Sequence, residues 1–127
     1  MDYLDCPFCE RVLNEDYDRN RSDDYGVCFE PLNPVTPGHL LVVSRVHLET
    51  PVSSPYITGK LMDLAAQITA RLNTDANIIT SSGPAATQTV RHCHLHIVPR
   101  HAGDGLKLPW TDQPKTVAVD WRGDAGA

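Results

Sequence analysis

Gln88-Thr89-Val90-Arg91-His92-Cys93-His94-Leu95-His96-Ile97-Val98-Pro99-Arg100 is the stretch that decides the reading of this chain. Side chains alternate across a β-strand with a period of two, so His92, His94 and His96 share one face. Cys93, Leu95 and Ile97 fall on the other face and read as core, and Arg91 on that side reads as solvated. A strand rises ~3.3–3.4 Å per residue, so three such rings span about 13–14 Å and cannot all converge on one ion. Two functional readings follow. Neighbouring histidines two apart share a metal, or a central imidazole acts as a nucleophile with a second ring beside it to meet the leaving group. Imidazole, with a pKa near ~6.5, is largely neutral and nucleophilic at pH 7.

Outward from this strand, Asn77 to Ser82 reads as a second strand, and Ser82 to Thr87 as a loop of small residues. Thr58 to Leu72 spaces Leu61, Leu64, Ala65, Ile68 and Leu72 for one helical face, which predicts the main helix. His39 to Ser44 is a β-branched and aliphatic run, short enough for a buried strand, and Asn33 to Gly38 before it is a turn. Val27 to Glu30 is a further short strand. Residues 14–24 hold two Arg against five acidic residues with no apolar period and read as a solvated loop. Beyond Arg100 the chain is punctuated by Gly and Pro, with Trp110 and Trp121 as its large apolar anchors. Strands flanking one good helix predict an α+β fold with a mostly antiparallel sheet.

The composition narrows the function. The 127 residues fit one domain, 41% are hydrophobic, and the net charge is −5. An acidic balance argues against a duplex-binding surface, which needs clustered Lys and Arg, so no nucleic acid is expected. The longest aliphatic run, Leu40 to Val43, is too short to cross a membrane, and the first residues do not resemble a secretory signal. A cytoplasmic location is the expectation. Four cysteines without a secretory signal argue against a disulfide framework.

Cys6-Pro7-Phe8-Cys9 is open to redox, zinc or structural readings. Five residues before Cys6 leave little room for the strand of a thioredoxin-like motif. Zinc needs two more ligands, and no second Cys-x-x-Cys exists.

The stretch from Gln88 to Arg100 resembles the signature of the histidine triad (HIT) family. Gly83-Pro84, Gln88-Thr89-Val90 and Pro99-Arg100 are similar to its fragile-histidine-triad branch. Asn33-Pro34-Val35-Thr36-Pro37-Gly38-His39-Leu40-Leu41-Val42-Val43 is similar to the family's upstream turn and strand, so the resemblance runs from residue 6 to about 102. It implies a single domain over residues 1–112, with residues 1–13 as its Cys-x-x-Cys segment and 113–127 as a tail. It also implies a five-stranded antiparallel sheet with one main helix, and a homodimer that joins two such sheets. His94 would be the nucleophile toward the α-phosphorus of a nucleotide, and His96 would contact the phosphate and assist the leaving group. His39 would lie beside them, with Gln88 and Thr89 in the phosphate loop and Phe8 in the base pocket. Similarity to zinc-containing bacterial members implies that Cys6, Cys9, His47 and His92 hold a structural Zn²⁺.

Three positions depart from the family pattern, and all face the ligand. Pro31 stands where Asp or Asn is usual, Thr87 where Gly is common before Gln88, and Ser81 where Asn or Gln is common. The expected activity is hydrolysis at the α-phosphorus of a dinucleoside polyphosphate or nucleoside phosphoramidate through a nucleotidyl-histidine. A binding protein with little turnover and a nucleotidyltransferase are the alternatives. The presence of His96, where transferases tend to carry Gln, favours hydrolysis.

Overall fold

A computed structural model of the chain describes residues 5–112. The 113–127 tail, with Trp121, and the first four residues lie outside the described residues. The elements are α1 (Pro7–Leu13), β1 (Gly26–Phe29), β2 (Leu40–Ser44), α2 (Pro55–Leu72), β3 (Ala76–Ile79) and β4 (His94–Pro99). The strands form one antiparallel sheet in the order β1-β2-β4-β3. The fold is therefore α+β with one main helix, and the sheet has four strands among the described residues rather than five.

The two faces of the sheet are covered differently, and this places the site. Cys28, Leu40, Val42, Leu95 and Ile97 face Leu61, Leu64, Ala65 and Ile68 of α2 in the main core. Cys93, just before β4, joins that cluster. The opposite face carries Val27, Phe29, Leu41 and Val43, with Phe8 and Val12 of α1 and Tyr17 packed on them. Direct cross-strand pairing of Val43 with His94 and Leu41 with His96 puts both histidines on this second face.

Helix α2 starts about a turn before its apolar period does. Ser54 accepts a hydrogen bond from the Ile57 N–H, and Pro55 occupies the first turn, so the capping residues set the start there. The left-handed Asn73 ends it. Gly26 lets α2 approach β1, since a Cβ there would lie 2.7 Å from Leu61 Cδ2. The acidic loop of residues 14–24 is fastened rather than simply solvated. Arg19–Arg21 forms a single 3-10 turn, and the Asp23 carboxylate accepts from the N–H groups of Tyr25 and Gly26. Trp110 is 66% exposed, so it does not anchor the chain end against the described residues. No helix among the described residues is long and apolar enough to cross a membrane.

Leu61 is fully buried between α2 and the sheet. Leu61→Ala should therefore lower unfolding free energy by ~2–5 kcal/mol in chemical denaturation, the range for emptying such a site.

Candidate functional site

Strand β4 begins at His94, so His92 sits in the bend that precedes it, and the three histidines divide their work. His92 is fully buried, and its Nε2–H donates to the Ser44 carbonyl at 2.6 Å, which leaves Nδ1 as a lone pair. The His92 carbonyl in turn accepts from His94 Nδ1–H at 2.6 Å, which leaves Nε2 of His94 as that ring's free lone pair. The Phe8 ring lies edge-on to His94 with centroids 5.0 Å apart. Burial pushes the His94 imidazole below its usual pKa, partly opposed by the His92 carbonyl.

A second chain of hydrogen bonds sets the tautomers of the other two rings. The Val35 N–H donates to His39 Nδ1 at 3.1 Å, so the proton of neutral His39 is on Nε2. That Nε2 lies 2.9 Å from His96 Nδ1 and donates to it, so neutral His96 carries its proton on Nε2. The His94 and His96 rings stand 5.2 Å apart, centroid to centroid. The site thus pairs a ring with a free lone pair and a ring with a free N–H. Burial, then the neighbouring His94 and His39, push His96 down to about 4, and burial lowers His39.

Two clefts meet at these rings. The larger, about 570 Å³, is lined by Phe8, Phe29, Leu41 and Val90, with Pro31 and Asn33 among its other walls. The smaller, about 340 Å³, is lined by Ser81, Gln88, Val98 and Arg100 together with residues 106–108. His39, His94, His96, Thr89 and Val35 line both.

Gln88 is buried and its amide is taken up by the backbone. Oε1 accepts from the Gly83 N–H, and Nε2 donates to the carbonyls of Glu49 and Val90. It holds the loop over residues 83–90 in shape. Thr87, in the same loop, adopts φ 70°, a left-handed conformation that strains a β-branched residue and suits Gly. The structure therefore brings together His39, His94, His96, Thr89, Ser81 and Phe8 around the clefts, and Gln88 lines the smaller one with its amide bonded to the backbone of Gly83, Val90 and Glu49. Val35, Phe29 and Leu41 are site residues that alternation and motif matching missed. Val35 contributes a backbone N–H, which no side-chain pattern reports.

On the far side of Phe8, the side chains of Cys6, Cys9, His47 and His92 converge, with their ligand atoms all within 4.8 Å of one another. His92 Nδ1 lies 3.3 Å from Cys6 Sγ, 3.4 Å from Cys9 Sγ and 3.2 Å from His47 Nδ1, and Cys9 Sγ lies 3.1 Å from His47 Nδ1. A tetrahedral ion with nitrogen ligands at ~2.0–2.1 Å gives nitrogen–nitrogen edges of about 3.3 Å, so the spacing fits one ion. The donor chemistry fits as well. His92 Nδ1 carries no proton to share, and burial beside Cys6 pushes the Cys9 thiol up to about 12, so a cation is what would hold both sulfurs as thiolates. These four residues can hold a metal ion. Cys6 also caps α1, its sulfur accepting from the Cys9 N–H at 3.4 Å.

Comparison with known proteins gives the family of the chain. The HIT domain family model matches residues 18–103, and the chain belongs to the HIT family. An uncharacterized HIT-like protein of Methanocaldococcus jannaschii is 32% identical over 124 residues, covering 91% of this chain and 93% of that one. An adenylylsulfatase of Arabidopsis thaliana is 29% identical over 109 residues, 80% of this chain and 55% of its own. The crystal structure of a zinc-bound histidine triad family protein from Mycobacterium smegmatis superposes with a TM-score of 0.73 at 33% identity, covering 83% of this chain and 81% of the other.

Metal analysis of protein purified without added metal should find about one ion per chain. Cys9→Ser should lose it and lower the melting temperature by ~10 °C or more. A metal-free wild type of undiminished stability would contradict the site.

Proposed function

We propose that this protein hydrolyses nucleotide derivatives at the α-phosphorus through a nucleotidyl-His94 intermediate. The observation that carries the reading is the tautomer pair. His94 is held by the His92 carbonyl with Nε2 free to attack, and His96 stands beside it with Nε2–H free to donate. His94 Nε2 bonds to phosphorus as the bond to the leaving group breaks. The electron pair departs with the leaving group, which accepts a hydrogen bond from His96 Nε2–H and takes from solvent a proton that the later attack of water returns. Water then cleaves the phosphorus–nitrogen bond, releasing the nucleoside monophosphate and restoring His94. That Thr89 lines both clefts supports a role for it in holding phosphate oxygens, and the aromatic wall of Phe8 and Phe29 supports a base beside it. The adenylylsulfatase relative supports an adenylyl-type substrate.

We further infer that the Cys6, Cys9, His47 and His92 set holds zinc, as the zinc-bound relative supports. With two thiolates against Zn²⁺ the site is neutral, and four protein ligands close it, so its part is structural. It would join α1, and with it Phe8, to the residue whose carbonyl orients His94. A homodimer fits the position of β3 at an edge of the sheet.

The experiment is a hydrolysis panel of adenosine and guanosine phosphoramidates, diadenosine polyphosphates and adenylyl sulfate. Wild type should release nucleoside monophosphate, His94→Ala should lose at least about a thousandfold, and His96→Ala roughly 10²–10⁴. Tight nucleotide binding with no turnover across the panel would favour a binding role instead.

The depressed histidines set the pH dependence. Catalysis needs neutral rings and all three are lowered, so kcat/KM should fall on acidification only below the usual imidazole value of ~6.5, with His96 itself lowered to about 4. Stability follows the same groups. Unfolded histidines bind protons near ~6.5 and these folded ones only below that, so stability is present above ~6.5 and is lost as pH falls toward 4. Thermal melts across this range should show the decline, and a melting temperature rising on acidification would contradict it.

A further inference from the structure

The wall of the smaller cleft is built by a pair of residues that the proposed chemistry does not use. Immediately after β4, Arg100 Nε and Nη2 donate to the Asp104 carboxylate at 2.8 and 3.0 Å. The same guanidinium donates to Asn77 Oδ1 at 2.7 Å and to the Leu106 carbonyl at 2.8 Å. Asp104 accepts two further bonds, from the N–H groups of His101 and Leu106. Both side chains are shielded, with 22% of Arg100 and 14% of Asp104 exposed. Gly103 and Gly105, on either side of Asp104, have φ of 75° and 77°, a conformation that folds the loop back and that glycine adopts without strain. The result ties β3, the end of β4 and residues 101–106 into one unit. Leu106, Lys107 and Leu108, which follow directly, form one side of the cleft that contains His94 and His96.

This arrangement also says what the cleft accepts. Four of the five guanidinium N–H groups are already bonded within the chain, and the Gln88 amide is likewise consumed. Lys107 stands at the rim, 72% exposed and paired with Asp112. Ile79, Val98, Leu106 and Leu108 supply apolar walls. An inorganic anion needs convergent charged donors, and in this cleft Arg100 is committed and Lys107 is paired at the rim. The proposed chemistry takes Thr89 and His96 for the phosphate and leaves Ser81 and Asn77 as the further neutral donors in the lining. An organic group with an apolar body finds matching surface.

We propose that Arg100 and Asp104 are a positioning pair that builds a leaving-group subsite, and that this subsite takes an organic leaving group rather than a small inorganic one. The proposal rests on the reading of His94 as the nucleophile, because the two clefts then receive the two halves of a substrate whose phosphorus lies at their junction.

The test uses two uncleavable ligands of equal charge, adenosine 5′-methylphosphonate and adenosine 5′-benzylphosphonate, which differ by one phenyl ring. Dissociation constants are measured by calorimetry. Wild type should bind the benzyl compound at least tenfold more tightly. Asp104→Asn should reduce that ratio below threefold, and Leu108→Ala, which leaves the Arg100–Asp104 pair intact, should reduce it too. General damage to the fold weakens both ligands together and leaves the ratio unchanged, so an unchanged ratio in Asp104→Asn overturns the positioning role. A ratio near one in wild type overturns the subsite. Turnover of adenosine N-benzylphosphoramidate, whose leaving group is organic, is scored separately. Its absence with the ratio intact sinks the hydrolase reading while supporting the subsite, and failure of both ligands to bind overturns both.

Discussion

One hydrogen bond organises this molecule's chemistry, the 2.6 Å contact from His94 Nδ1–H to the His92 carbonyl. It fixes which nitrogen of His94 is free, and it does so through a residue whose own ring is committed elsewhere. The His92 side chain lies among Cys6, Cys9 and His47, and its Nε2–H is held by the Ser44 carbonyl. The backbone that aims His94 is therefore located by β2 on one side and by the N-terminal cysteines on the other. Buried polar groups are costly unless bonded, and here the bonding partners are also the orienting devices.

The sheet supplies the second constraint. Helix α2 seals one face with aliphatic side chains, while α1 covers only part of the other. The uncovered part is where His94 and His96 emerge, beside Val43 and Leu41. Burial lowers both rings from the usual imidazole value, so at pH 7 neither repels the other as a cation. Aromatic packing of Phe8 against His94 and Phe29 completes the wall on the α1 side.

Much of this was legible in the sequence because it depends on periodicity. Alternation separated Cys93, Leu95 and Ile97 from the histidines, and the 3.6-residue period located α2 from Leu61 to Leu72. The two cysteines and two histidines of the metal cluster were reached through resemblance, not spacing, since Cys6 and His92 are 86 residues apart. His92 precedes the strand and its ring joins the cysteine cluster, yet Phe8 packs against both it and His94, as rings on one side of the strand would allow. Gln88 was read toward a ligand, but its amide satisfies the loop's own backbone. Thr87 was legible as a departure, and its positive φ shows that the turn keeps a glycine-like shape without glycine. The Arg100–Asp104 pair escaped notice because its meaning lies in two left-handed glycines and backbone donors, which carry no hydrophobic signal.

The distance along the chain between Cys6 and His92 bears on the order in which the molecule is assembled. β1 and β2 are near neighbours in sequence and pair directly, so they can meet by a short loop closure, whereas β3 pairs with β4 and waits for it. The contact that brings Phe8 to His94 cannot form until the chain has passed β1, β2, α2 and β3. A nascent or truncated chain that stops before β4 thus keeps α2 and the β1–β2 pair but lacks His94, His96 and the strand that joins β2 to β3, so the clefts have no shared wall.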